Sequence, residues 1–322
     1  MILTINTHAA LDRVIFIERF KAGTVMRASH SLDCVGGKGL DAAVVLSALG
    51  APHLALSFIA GKTGELLVQA LEQYGVHHEL LWVSGDTRTA HVLVESAHHR
   101  HSHVMTPGYR VSETDCAEFL QRVTAYAPQA EWLILGGSLP PGAPVDFYAQ
   151  VIQAGVTGGA RTLIDCPGEP LVQALAERPD IVKMNREEFR QTFGIDCPEL
   201  AGLAGPARAL AQNYAFGKGP THGGETIANL VITAGAEGIL AVTAQGTYLA
   251  SGPRLEAVNA AGAGDAVSAG LAYRLSLGDA WEEALRWAIA ASAAVVLTEG
   301  TAECYLEDIQ RLYPSAMVTR LE

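Results

Sequence analysis

Short apolar runs alternate along the chain with stretches in which apolar residues recur every three or four positions. The runs "AEWLILGGS", "ARTLIDC" and "PDIVKMN" are typical of buried strands, and each precedes a stretch with helical spacing, "PVDFYAQVIQAG", "PLVQALAE" and "REEFRQTFG" respectively. This alternation predicts a single α/β domain over residues 1–322, with a mostly parallel sheet covered by helices on both faces. Because ligands of such sheets bind beyond the carboxyl ends of the strands, we expect the functional residues in the loops there.

Two segments depart from this pattern. Residues 8–32 and 87–108 resemble β-ribbons, and the second is expected to turn near residues 98–101. We expect the two segments to fold together into a small β-sheet lid beside the main sheet. A glycine-rich stretch, residues 216–226, predicts a long exposed loop before the strand "NLVITAG".

Composition narrows the class of protein. With 22 basic and 34 acidic residues the net charge is −12, which argues against nucleic acid as the main partner. Five scattered cysteines with no C-x-x-C pair favour reduced thiols in a cytoplasmic protein. The longest small-apolar run, residues 287–297, is far shorter than the roughly 20 residues of a membrane helix, and the N-terminal sequence does not resemble a signal peptide. We therefore expect a soluble protein with no membrane partner.

The stretch "NAAGAGDAVSAG", residues 259–270, gathers small residues around one carboxylate, Asp265. It follows the strand-like "PRLEAVN" and leads into residues with helical spacing, so Gly262, Ala263 and Gly264 are predicted at a helix start. Free amide groups there would bind an anion, and Asp265 could accept a proton from an attacking hydroxyl. The alternative is that Asp265 only caps the helix and the glycines only allow tight packing.

Two further helix starts carry polar residues. The stretch "GGKGLDAA" places Lys38 and Asp41 one turn apart, beside glycines that leave the backbone accessible to a ligand. The alternative is an ordinary helix start with a solvent-exposed lysine and no ligand, which would have the same sequence pattern. In "VKMNREE", Asn185 and Glu188 follow a strand and share one face of a new helix, well placed for nucleotide phosphate and hydrated Mg²⁺. The same N-x-x-E spacing also predicts a capping box, and the two interpretations are compatible.

These motifs occur in a fixed order: "GGKGLDAA", "GGSLPPG", "IDCPGE", "VKMNREE", "ITAGAEG" and "NAAGAGDAVSAG". In that order they resemble the PfkB branch of the ribokinase-like carbohydrate kinases, over nearly the whole chain. The resemblance implies a ribokinase-like three-layer α/β/α fold, a mostly parallel central sheet, a small β-sheet lid, and transfer of a phosphoryl group from ATP with Mg²⁺.

The resemblance also implies a role for each matching position. Asp265 would deprotonate the sugar hydroxyl, and the amides of Gly262, Ala263 and Gly264 would stabilise the transferring phosphoryl group. Glu188 would act on Mg²⁺ through water. The nucleotide side would be formed by Asn185, Glu188, Thr233, Gly235 and Gly238.

The sugar side is implied in the same way. Its pocket would be lined by Asp12, Gly37, Lys38 and Asp41. Arg88 stands where the sugar-phosphate kinases carry an arginine for the substrate's phosphate, and Arg27 and Ser138 of "GGSLPPG" also match that branch. We therefore expect a phosphorylated hexose of the fructose or tagatose phosphate type as substrate.

Several positions depart from the family pattern. "NTHAALD" carries two extra residues before Asp12, Asp41 stands where most members have Asn, and Ala90 replaces an Asn that often follows the arginine. A neutral or amine-bearing sugar, a nucleoside, or a catalytically silent sugar-binding role remain as alternatives. Asn259 stands where members that use a monovalent cation tend to have Asp, which leaves potassium dependence open.

Two expectations concern the lid. The histidines of "AHHRHSH", residues 97–103, are expected to form a solvated turn and not a metal site, because a β-ribbon divides alternate side chains between its two faces. Exposed strand edges on lids of this kind often pair between subunits, so we expect a homodimer formed through the lid.

Overall fold

A computed structural model describes residues 1–98, 100–214 and 229–321, so the glycine-rich stretch at 216–226 lies outside the described residues. The described strands are β1 Ile2–Asn6, β2 Ala10–Ile17, β3 His30–Gly36, β4 His53–Ile59, β5 His78–Trp82, β6 Arg88–Glu95, β7 Arg100–Met105, β8 Trp132–Gly136, β9 Arg161–Asp165, β10 Ile181–Asn185, β11 Asn229–Thr233, β12 Ile239–Thr243, β13 Gly246–Ser251 and β14 Met317–Arg320. The described helices are α1 Lys38–Ala48, α2 Gly61–Gln73, α3 Glu113–Tyr126, α4 Phe147–Thr157, α5 Glu169–Ala174, α6 Arg186–Phe193, α7 Ala204–Tyr214, α8 Ala263–Ser276, α9 Trp281–Val295 and α10 Leu306–Leu312. None of these helices is long and apolar enough to cross a membrane.

The large sheet has the strand order β14-β13-β12-β11-β10-β9-β8-β1-β4-β5. Neighbours from β11 to β5 pair in parallel, whereas β12, β13 and β14 add an antiparallel edge. The register aligns the carboxyl ends of the central strands, with Asn6 opposite Gly136 and Gly136 opposite Asp165. Loops from several strands therefore open at one edge of the sheet, where a ligand site is expected.

Apolar side chains alternate between the two faces of this sheet. Leu133 and Leu135 of β8 pack into one buried cluster with α3 and α4, while Trp132 and Ile134 pack into another with α8 and α9. Each cluster is closed by a layer of helices, so the strands are buried on both faces and read as continuous apolar runs. The predicted three-layer α/β/α fold with a mostly parallel central sheet is confirmed.

A second, four-stranded sheet has the order β3-β2-β6-β7. It is built from the two segments predicted as β-ribbons, with β2 and β6 in parallel and β6 and β7 in an antiparallel hairpin. Strand β3 continues to Gly36, beyond the expected limit at residue 32. Val14, Cys34 and Val92 form a small buried cluster on one face of this sheet.

One expected strand is absent from the described structure. The sequence "PRLEAVN" before the helix start was predicted to be strand-like, but residues 253–259 form no strand, and the prediction was wrong. Instead, the Val258 amide donates a 2.8 Å hydrogen bond to the Val296 carbonyl at the end of α9, so this segment is held by a helix end and not by a neighbouring strand.

Candidate active site

A cavity of about 330 Å³ lies between the carboxyl edge of the large sheet and the second sheet. It brings together most of the residues that the sequence assigned to catalysis and to the sugar. These are Asp12, Gly37, Lys38, Asp41, Arg88, Ser138, Gly262 and Asp265. Their gathering from distant parts of the chain supports the assignment of this edge as the functional one.

The start of α8 forms one wall of the cavity. Gly262 has φ +81°, and a Cβ there would lie 2.5 Å from the backbone nitrogen of Ala302, so only glycine fits. The Ala263 amide donates a long 3.3 Å hydrogen bond to the Ala260 carbonyl, and within the described residues the Gly264 amide has no backbone acceptor. Gly262 and Asp265 of this helix start line the cavity, whereas Ala263 and Gly264 are not among the residues that line it. The Gly264 amide is left without a backbone partner, as is usual in the first turn of a helix.

Asp265 lies in the first turn of α8 and is buried. Burial raises the pKa of its carboxyl to about 7, against the opposing effect of the Lys183 and Lys38 ammonium groups. A carboxylate with such a pKa can accept a proton near neutral pH.

A network of oppositely charged side chains lies near Asp265. The sequence analysis gave no role to two of its members, Asp165 and Lys183. Lys38 donates 2.6 Å and 2.7 Å hydrogen bonds to Asp165 and Glu188, and Lys183 donates to the other oxygen of Asp165. Burial tends to lower the pKa of Lys38, but the surrounding carboxylates outweigh it and raise that pKa. The pKa of Asp165 falls because the two lysines outweigh the effect of burial. The sequence signals for Asp165 and Lys183 were their positions in the strands "ARTLIDC" and "PDIVKMN" and in the motifs "IDCPGE" and "VKMNREE", but neither residue was given a role there.

The start of α6 carries the predicted capping box. The Asn185 side chain accepts from the Glu188 amide at 2.8 Å, and the Glu188 carboxylate accepts from the Asn185 amide at 2.9 Å. Glu188 also lines the main cavity, where it accepts the hydrogen bond from Lys38. Asn185 instead lines a second cavity of about 230 Å³, together with Thr233 and Gly235. The capping interpretation is thus confirmed.

Gly238 closes the turn between β11 and β12. Its φ is +102°, and a Cβ there would lie 2.0 Å from the Ala250 carbonyl oxygen. The structure therefore gives Gly238 a packing role beside the second cavity, without placing it among the residues that line it.

The sugar side of the main cavity is acidic. Asp12 reaches it despite the two extra residues in "NTHAALD", and Thr301 donates a 3.0 Å hydrogen bond to its carboxylate. Burial raises the pKa of Asp12 to about 6, opposed by Thr301 and Arg88. Thr301 and Met105 of β7 line the cavity but were not singled out from the sequence. His103, which the sequence analysis placed in a solvated turn with the other histidines of residues 97–103, also lines it.

Arg88 of β6 lines the same cavity as Asp12 and supplies positive charge to its sugar side. Its guanidinium donates a 2.9 Å hydrogen bond to the His8 carbonyl, and its buried Nε has no partner within the described residues. The His8 ring contacts the Ser138 hydroxyl at 3.3 Å. Arg27 is not brought to this site, because it lies in the exposed irregular segment between β2 and β3.

Two remaining sequence expectations concern cations. The Asn259 side chain donates to the Glu299 carbonyl at 3.0 Å and accepts from the Ala261 amide, so it holds two loops together, and potassium dependence stays open. The rings of His101 and His103 lie 5.3 Å apart on one face of β7. Outside the undescribed segments, no group of three or more metal-ligating side chains occurs, and the solvated turn stays a prediction.

The ribokinase-like fold, with a buried carboxylate in the first turn of a helix that begins at a glycine, defines a small-molecule kinase. The chain matches the pfkB family carbohydrate kinase description over residues 7–309 and belongs to that family. It is a carbohydrate kinase, a phosphotransferase that acts on an alcohol group.

Relatives agree with this assignment. The chain is 28% identical to the 1-phosphofructokinase of Bacillus subtilis over 323 residues, covering 100% of both proteins. It is 32% identical to the 1-phosphofructokinase of Xanthomonas campestris over 284 residues, covering 87% of this chain and 85% of the relative.

Solved structures show the same fold. Phosphofructokinase-2 from Escherichia coli, in complex with substrates and products, superposes with a TM-score of 0.86 at 25% identity, covering 97% of this chain and 98% of that one. The ribokinase of Arabidopsis thaliana, complexed with ribose and ATP, gives a TM-score of 0.74 at 21% identity over 97% and 98% of the two chains.

Proposed function

We propose that the protein transfers the γ-phosphoryl group of ATP to a hydroxyl of a phosphorylated hexose of the fructose phosphate type. The observation that carries the proposal is Arg88, which lines the same cavity as Asp265 and whose guanidinium, among the residues that the structure describes, makes one hydrogen bond, to the His8 carbonyl. A substrate phosphate accepts hydrogen bonds from such a group, and its charge suits a guanidinium. The curated relatives named 1-phosphofructokinase support this substrate class.

In the reaction we propose, Asp265 takes the proton of the sugar hydroxyl as its oxygen attacks the γ-phosphorus of ATP. The bond from that phosphorus to the bridging oxygen breaks, and ADP leaves with the electron pair. The amides of Gly262, Ala263 and Gly264 donate hydrogen bonds to the phosphoryl oxygens as charge develops on them. Thr233 and Gly235, which line the second cavity, lie on the nucleotide side.

The start of α6 suits a hydrated Mg²⁺. Both oxygens of Glu188 already accept hydrogen bonds, from Lys38 and from the Asn185 amide, so the carboxylate would hold the ion through water. Mg²⁺ bound there would offset negative charge on the ATP phosphates. The closure of the second sheet over the cavity would exclude water, which otherwise competes with the sugar as acceptor.

Replacing Arg88 with Ala should raise the KM for fructose 1-phosphate by about 10- to 100-fold, because a hydrogen bond to a charged group contributes about 1.5–3 kcal/mol. Initial rates over a panel of hexose phosphates, free sugars and nucleosides would measure this. Arg13→Ala is the matched control, since Arg13 lies on the same sheet but pairs with Asp33 at the surface. If the native protein turned over only free sugars or nucleosides, or if Arg88→Ala left the KM unchanged, Arg88 would not bind the substrate phosphate. If the native protein bound sugars without turnover, the alternative of a catalytically silent sugar-binding protein would be supported.

We also propose a homodimer formed through the second sheet. Strand β7 is an edge strand whose six residues are all exposed, including Val104 and Met105 at 55% and 47%. Val104→Lys should yield monomers in sedimentation velocity, because a charge would be desolvated at the joined edges. Val172→Lys, on the surface of α5, should leave the mass unchanged. A monomeric native chain would rule the dimer out.

The five free cysteines are consistent with a cytoplasmic protein, which stays a prediction.

A further inference from the structure

Four carboxyl groups line the main cavity, and two of them, Asp41 and Asp265, are in contact. Asp41, in the first turn of α1, is buried, and its side chain makes a hydrogen bond with that of Asp265 on α8. Two ionised carboxylates can only accept hydrogen bonds, so this contact requires a proton between them. The remaining question is which of the two acids holds that proton.

The surroundings of Asp41 offer little to stabilise a negative charge. Its carboxyl accepts from the Gly37 amide, but Oδ1 is buried and has no donor among the described residues. The nearest ammonium on its own helix, Lys38, is already held by Asp165 and Glu188. Burial and the neighbouring carboxylates Asp265 and Asp12 raise the pKa of Asp41 well above its usual range.

The other titratable groups near Asp41 come from the second sheet. Strand β2 presents Asp12, and strand β3 presents the buried thiol of Cys34. Two more line the same cavity: Arg88 of β6, which bonds to a backbone carbonyl, and His103 of β7, whose pKa is lowered by burial, so that its neutral form is favoured. By contrast, Asp265 feels the lysines Lys183 and Lys38, and its pKa rises only to about 7. The two ammonium groups favour the ionised form of Asp265, whereas no donor among the described residues reaches Oδ1 of Asp41, so the contact favours Asp41 as the acid that holds the proton.

We propose that Asp41 is a neutral carboxylic acid in the working enzyme and donates its O–H to the ionised Asp265, as a positioning residue for the base. A neutral carboxylic acid has nearly the shape of an asparagine side chain, so Asp41 in this form adds no negative charge beside an anionic substrate. Its role toward the base rests on the proposed function, whereas the location of the proton does not.

Infrared spectroscopy of the ligand-free protein at about pH 8.5 locates the proton, because Asp12 and Asp265 are largely ionised there. We expect the native protein to show the carbonyl band of a protonated carboxylic acid, shifted in deuterium oxide. The band should be absent from Asp41→Asn and retained in Asp12→Asn. A native protein without the band, or a band that survives in Asp41→Asn, would overturn the proposal.

The pH dependence of kcat/KM tests the positioning role. In the native enzyme, ionisation of Asp41 at alkaline pH would place two negative carboxylates in contact, so the rate should decline there. Asn cannot ionise but can still donate, so the alkaline decline should disappear in Asp41→Asn, whatever its absolute rate. An unchanged alkaline decline would contradict the role. If no sugar phosphate is turned over at all, the proposed function fails, while the infrared result still stands.

Discussion

Asp265→Asn is expected to lower kcat for a hexose phosphate by about 10²–10⁴-fold, because general-base catalysis contributes that much and an amide cannot take the hydroxyl proton. The KM should change far less, since Asn keeps the size and hydrogen-bonding reach of the side chain. Initial rates with Mg-ATP, fitted separately for kcat and KM, measure the effect. Asp279→Asn is the control: this carboxylate lies beyond the other end of α8 and pairs with Arg274.

The same base sets the acid side of the pH profile. With a pKa raised to about 7 by burial, Asp265 is ionised above that pH and becomes protonated as the pH falls through it. The protonated acid cannot accept the hydroxyl proton, so kcat/KM should fall as the pH drops below about 7. A kcat for Asp265→Asn within a few-fold of native would assign proton removal to another group.

The second large effect is on stability. Asp165→Asn should lower the free energy of unfolding by about 3–5 kcal/mol, because it leaves buried Lys183 and partly buried Lys38 without their shared carboxylate. Chemical denaturation with urea would measure the loss.

The matched control is Glu131→Gln, which breaks the exposed pair between Glu131 and Arg161. Exposed pairs contribute little, so this change should cost less than about 1 kcal/mol. If Asp165→Asn cost no more than the control, the buried lysines would have to be stabilised by other groups.

Much of the fold could be predicted from local patterns. The alternation of strand-like and helical runs predicted β8 to β10 and α4 to α6 in their observed order. The small residues around Asp265 predicted a helix start at Gly262, which the structure has with φ +81°. Such features depend on side-chain period and backbone freedom, which neighbouring residues determine. The strand expected at "PRLEAVN" did not form, because a strand also needs a neighbouring strand to pair with, and here Val258 bonds to the end of α9 instead.

In the candidate site, too, some features follow from local sequence and others only from the tertiary structure. The sequence by itself determined which side chains stand at the helix starts and strand ends, including Lys38, Glu188 and Asp265, because the loops that carry them follow periodic segments. Only the tertiary structure decided their partners. Thr301 meets Asp12 across 289 residues and Lys38 meets Glu188 across 150, and no local pattern records such pairs. Burial and charge at these contacts set the protonation of Asp41 and Asp265, because both depend on what the fold packs around each carboxyl group.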